Sequence, residues 1–160
     1  MGCNPARFVQ LSLLQVTVLL IGALFLALGL LGSLPGVTCR YGELHWGGQG
    51  STAELFGVFT VSVVHNAVHL ASGIAAIAMS GTAIRARWYL LGVGLLYLAL
   101  WVYGLLITSQ VATNVLPVDL ADTWLHLCLG IVMTGLAAIL PWPSQYLDDA
   151  ANQVSAVERR

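Results

Sequence analysis

Four apolar runs, each long enough to cross a lipid bilayer, constrain this chain more than any other feature. They cover about residues 8–32, 56–80, 88–108 and 120–140, and a spanning helix needs about 20 residues at about 1.5 Å each. The chain is 58% hydrophobic and 8% charged, with a mean hydropathy of +0.86. Soluble domains carry about 25% charged residues, and 160 residues cannot hide this much apolar surface in one small core. The expected fold is all-α, an integral membrane four-helix bundle forming one domain over 1–160. Arg7 precedes the first run, but the run is too long for a signal-peptide core and no small-x-small site follows it, so it is kept as a span. Ala6 breaks the myristoylation pattern that Met1-Gly2 would begin.

The arginines orient the spans. Arg7, Arg85, Arg87, Arg159 and Arg160 fall on one side, and only Arg40, with Glu43, Glu54 and Asp119, on the other. Positive residues mark the cytoplasmic face, so both termini and a tail over 142–160 are expected inside, with an outer loop over 33–50. Trp88, Tyr89, Trp142 and Tyr146 suit an inner aromatic belt, and Tyr41 and Trp46 an outer one. Ser51-Thr-Ala-Glu54 has the form of a capping box that starts helix two. Asp119, after Pro117, is placed to cap helix four, with Asp122 in its first turn and Pro141 and Pro143 ending it. The outer loop can be a mobile flap or a small ordered cap.

Two segments carry polarity where a membrane penalises it. His65-Asn-Ala-Val-His69-Leu-Ala-Ser-Gly73-Ile74 aligns with Asp122-Thr-Trp-Leu-His126-Leu-Cys-Leu-Gly130-Ile131, and both runs cross in the same direction. The match predicts two helix hairpins duplicated in tandem about an axis along the membrane normal. At 100° per residue His65, Asn66 and His69 share one face of helix two, and Asp122, Thr123 and His126 one face of helix four. Helix three brings Trp101 and Tyr103 to a similar level, so Tyr103 is expected to top this layer.

The layer has three readings, in descending order. Its residues hydrogen-bond helix two to helix four, with Gly73 and Gly130 letting the backbones approach. It is a ligand-binding or proton-handling site reached from outside, His beside Asp122 titrating near neutrality. Or His69 and His126 hold haem b, or His65 and His69 with His126 and Asp122 hold a transition metal.

Other features are plainer. Gly22, Gly29, Gly92, Gly94, Gly104 and Gly135 suit close helix packing, and Gln10, Ser12, Gln15 and Thr17 suit contacts of helix one with a neighbour. His45 belongs to the surface of the outer loop. Cys3, Cys39 and Cys128 make no metal-spaced pair, and Cys128 is turned away from His126. The net charge of −1 gives no footprint for nucleic acid. Neither a nucleophile elbow nor a phosphate-binding loop nor a zinc-protease motif is present, so catalysis is not expected.

Asn66-Ala-Val-His69-Leu70 and Asp122-Thr-Trp-Leu-His126-Leu127 resemble the motifs of an uncharacterised four-span membrane family of actinobacteria, Asn-x-x-His-Leu and Asp-Asn-x-x-His-Leu. Thr123 stands where that family has Asn. The resemblance implies the fold, the topology and a bacterial plasma membrane location, without an activity, and a basic complement made only of arginine suits such a GC-rich origin. The expected role is a non-catalytic accessory or assembly subunit, held by lipid and by a larger membrane-protein partner, without a cofactor. The alternative is haem or metal binding, or proton-coupled ligand binding, in the histidine layer.

Overall fold

Apolar chain in a bilayer must satisfy its own backbone, and helices do this within one segment. The computed structural model describes residues 11–47, 50–107, 119–140 and 155–159. Its main elements are α1 (Leu13–Leu31), α2 (Val63–Met79), α3 (Ala83–Ile107) and α4 (Leu120–Ile139). Between α1 and α2 lies a small cap: β1 (Thr38–Cys39), a 3-10 turn, β2 (Glu54–Leu55) and β3 (Phe59–Thr60), an antiparallel sheet in the order β1-β2-β3. α1, α3 and α4 are long and apolar enough to cross a membrane. α2, with 17 residues, lies at the short end of the spanning range. Expectations for Cys3, Arg7, Gln10, Pro117, Pro141, Trp142, Pro143 and Tyr146 lie outside the described residues.

The helices are inside out by the standard of a soluble protein. α2 buries Ser62, His65, Asn66, His69 and Ser72, and exposes Val63, Ile74 and Ile77. α4 buries Asp122, Thr123 and His126, and exposes Leu120, Trp124, Ile131 and Ile139. Polar groups turned inward beneath an apolar exterior are what a hydrocarbon solvent selects.

α1 packs mainly on α2 and α3 mainly on α4, with smaller α1–α3 and α2–α3 contacts. Glycines set the close pairs. A Cβ on Gly22 would lie 2.5 Å from the Ala76 Cβ, and one on Gly73 would meet the Leu26 side chain and the Gly22 carbonyl. A Cβ on Gly130 would strike Leu98, and one on Gly94 would strike Thr134 and Met133. Gly73 and Gly130 therefore seat α2 on α1 and α4 on α3; they do not join α2 to α4. Gly92 and Gly135 face open space, contrary to the packing role expected of them: they lie off the faces their helices bury.

Helix ends are tied to neighbours. Ser12 and Gln15 form a capping box on α1, and Gln15 Nε2 donates to the Ser80 carbonyl at the end of α2, 2.9 Å away. Arg87, near the start of α3, donates to the Ala137 and Leu140 carbonyls at the end of α4. Tyr89, expected at the inner aromatic belt, is buried instead and donates to the Ser72 carbonyl at 3.0 Å; Trp88 beside it is exposed. One residue of helical rotation separates lipid from core.

The capping box at Ser51 and Glu54 does not form. Phe56 and Gly57 take left-handed backbone, φ 56° and 70°, which turns β2 into β3 and stops a helix from propagating. Ser51 donates instead to the Val61 carbonyl, and Glu54 pairs with Arg40 across the sheet. α2 starts later than expected, capped by the Ser62 hydroxyl, which accepts from His65 N at 3.1 Å. Its first amides, Val63 and Val64, donate to the His45 and Trp46 carbonyls, each at 3.1 Å. Over the described residues, the segment between α1 and α2 takes the form of a small ordered cap. Ala53, Leu55 and Val61 are its core, packed on Leu28 and Leu31 of α1.

Asp119 does cap α4, accepting from Asp122 N at 2.8 Å, and its other oxygen accepts from the amide and hydroxyl of Thr60, both at 2.9 Å. One carboxylate joins β3 to α4. Asp119→Ala should lower stability by about 1–2 kcal/mol from the lost cap alone. It should also raise amide exchange at Thr60, measurable by hydrogen–deuterium exchange; Asp119→Asn, which keeps an acceptor, should recover much of both.

Candidate functional site: a buried imidazole cluster

Each histidine of the layer stands at a legible place on its helix. His69 lies six residues past the start of α2 and His126 six past the start of α4, each about 9 Å down its axis. The two stand at matching positions along their helices. Their helices, however, have at most marginal contact; the side chains meet across a gap, His65 stacking on His126 with ring centres 6.2 Å apart. His65 and His69 are neighbours on α2, at 4.7 Å.

Two aromatic residues complete the cluster. Phe25 of α1 stacks on His69 at 5.8 Å, Tyr97 of α3 stands edge-on to His126 at 5.4 Å, and Phe25 and Tyr97 stack on each other at 5.2 Å. Such separations are those of favourable aromatic pairs. The register shift that carries His69 onto His126 also carries Gly73 onto Gly130 and Ala76 onto Met133. A second shift carries Gly22, Phe25 and Leu26 onto Gly94, Tyr97 and Leu98. Under both, the pair Gly73–Leu26 becomes Gly130–Leu98, Gly22–Ala76 becomes Gly94–Met133, and Phe25–His69 becomes Tyr97–His126; every one of these six contacts is present. Phe25 carries no polar signal, and Tyr97 carries only a hydroxyl, buried without a hydrogen-bond partner. They were nonetheless legible, since Gly22-Ala-Leu-Phe25-Leu26 and Gly94-Leu-Leu-Tyr97-Leu98 share one pattern.

The remaining candidates sit around this cluster. Asn66 is turned toward α1, where a Cβ on Gly32 would run into its amide, and both amide atoms lack a hydrogen-bond partner. Asp122 is buried with Oδ2 lacking a hydrogen-bond partner, and the Thr123 hydroxyl donates to the Asp119 carbonyl at 2.8 Å. Tyr103 is half-buried, nearer the C-terminal end of α3; the tyrosine at the imidazoles is Tyr97, about 9 Å back along the axis.

A cavity of about 200 Å³ opens at the cluster, lined by His65, His69, His126 and Tyr97, with apolar side chains of α2 and α3 at its edge. His69 is 5% exposed and His126 4%, and the Nδ1 atom of each lacks a hydrogen-bond partner. Orphaned buried nitrogens of this kind cost about 1–3 kcal/mol apiece. Among the described residues, no group of three or more His, Cys, Asp or Glu is placed to hold a metal ion. The Tyr97 ring lies 6.5 Å from His69 and 5.4 Å from His126.

Fold and site define a small helical membrane protein with an ordered cap between α1 and α2 and a cavity lined by imidazoles inside its helices. The chain belongs to the family described as a domain of unknown function (DUF4383), whose model matches residues 15–139. No curated protein and no solved structure matches it.

Proposed function

We propose that this is a non-catalytic membrane protein that binds a small molecule in the cavity of its outer half. His69 and His126 would engage the ligand by hydrogen bonding or by exchanging a proton, with His65 and Tyr97 as walls. One observation carries the reading: two imidazoles, each at least 95% buried, line a cavity with a ring nitrogen lacking any partner. Native proteins rarely tolerate such orphans without a use. The same site would serve proton-coupled binding, since imidazole is the side chain best suited to exchanging a proton near neutrality.

The finer topology belongs to this proposal. All four helices cross the bacterial plasma membrane with both termini cytoplasmic, as two duplicated hairpins, α1–α2 and α3–α4. The paired glycine and aromatic contacts support the duplication. Arg85 and Arg87 on the inner side support the orientation.

To test the binding reading, the protein is purified in mild detergent, extracted with solvent and analysed by mass spectrometry. A compound near one per chain is expected from the wild type and absent from folded His69→Gln and His126→Gln. Extracts identical in all three would overturn the reading.

A second reading, an accessory or assembly subunit, draws on the outward surface. Trp124 is 53% exposed in the first turns of α4, amid large apolar side chains on every helix. Such a surface can hold a neighbour within the membrane. Affinity purification from native membranes should then return a larger membrane protein in fixed ratio, and Trp124→Ala should weaken its recovery.

A further inference from the structure

We propose that the cavity takes the ring of a tailed phenol or hydroquinone, which enters sideways from the acyl-chain region through the seam between α2 and α3. This rests on the ligand-binding reading above and adds the route and the ligand class.

The route follows from the edge of the cavity. Val68 of α2 and Leu96 and Leu100 of α3 form it, all apolar, with Leu96 45% exposed. Leu96 stands thirteen residues after Ala83 and eleven before Ile107, about 20 Å from one end of α3 and about 16 Å from the other. An opening at that depth faces acyl chains rather than water. Toward the outer surface the way is covered, because Val61 and Ser62, at the junction of cap and α2, are fully buried. Asp119 also bolts β3 to α4. α2 and α3 touch far less than the pairs α1–α2 and α3–α4 do, so the edge formed by Val68, Leu96 and Leu100 has room for a tail.

The ligand class follows from size and chemistry. An apolar cavity of about 150 Å³ accepts benzene, and about 200 Å³ takes one substituted ring. The walls offer ring faces at stacking distance, and the Nδ1 atoms of His69 and His126 lie buried in those rings without a hydrogen-bond partner. A phenolic hydroxyl both donates and accepts, so it satisfies an imidazole nitrogen in either tautomer. Among the described residues, no arginine, aspartate or glutamate lines the space, which leaves a phosphate or ammonium headgroup without a counter-charge and excludes an ordinary phospholipid head.

The test uses the full chain in nanodiscs and a photoreactive 4-decylphenol with a diazirine at the head end of its tail. Label is expected on Val68, Leu96 and Leu100, displaced by unlabelled 4-decylphenol and at least tenfold less by tail-less 4-ethylphenol. Leu96→Trp, a change at a half-exposed position, should cut labelling at least tenfold with the melting temperature kept, and Leu96→Ala should leave it undiminished. Displaceable label on the outer cap, residues 34–60, or equal competition by 4-ethylphenol, would overturn the lateral route while leaving a histidine site intact. Absence of displaceable label from the wild type, when solvent extraction still yields a histidine-dependent compound, would overturn the ligand class alone.

Discussion

Replacing both His69 and His126 by phenylalanine should leave the protein folded, and at least as stable as the wild type, while abolishing retention of the bound molecule. Each imidazole is almost fully buried and carries a nitrogen without a partner. Removing such a group relieves about 1–3 kcal/mol of uncompensated desolvation, and a similar apolar ring keeps the stack on Phe25 and the edge contact with Tyr97. Thermal unfolding in detergent with no ligand added, together with solvent extraction of the same samples, checks both halves. If the imidazoles were simply the ties between α2 and α4, the double variant would melt several degrees lower. The sign of the shift separates a site from a strut, because sites are commonly built at a cost in stability.

Gly22→Ala should destabilise the α1–α2 pair by about 1–3 kcal/mol, the usual cost of overpacking. The added methyl would sit 2.5 Å from the Ala76 Cβ, an atom fixed to its backbone, and 3.3 Å from the Gly73 carbonyl oxygen. No rotamer change relieves that, so the helices must move apart and carry the Phe25–His69 stack with them. Gly92→Ala and Gly135→Ala are the controls. Nothing lies within 4 Å of either position, so both should be neutral or stabilising by up to about 1 kcal/mol from helix propensity. Comparable losses at all three positions, by denaturant titration in micelles, would contradict the packing described.

Much of this site is legible in the residues alone. Membrane helices must place ionisable groups inward, so spacing alone put His65, His69 and His126 on buried faces. Asp119 as the cap of α4 followed from the needs of a helix N-terminus, and the structure adds its second grip, on Thr60. The cap between α1 and α2 was less legible. Ser51 and Glu54 fit a helix start in one dimension, and the left-handed turn at Phe56 and Gly57, with Arg40 waiting across the sheet, decided for strands.

By itself, then, the sequence determined the features that local periodicity and the solvent dictate: apolar helices, a polar face on the second and fourth, and matching places for His69 and His126 along them. Only the tertiary structure decided who touches whom. It seated Gly73 on α1 and Gly130 on α3, brought in Phe25 and Tyr97, and left α2 and α4 apart with a cavity between their rings. The reason is that helical phase fixes the direction a side chain leaves its own axis, whereas neighbours are chosen by shape complementarity between whole faces, which no single segment contains.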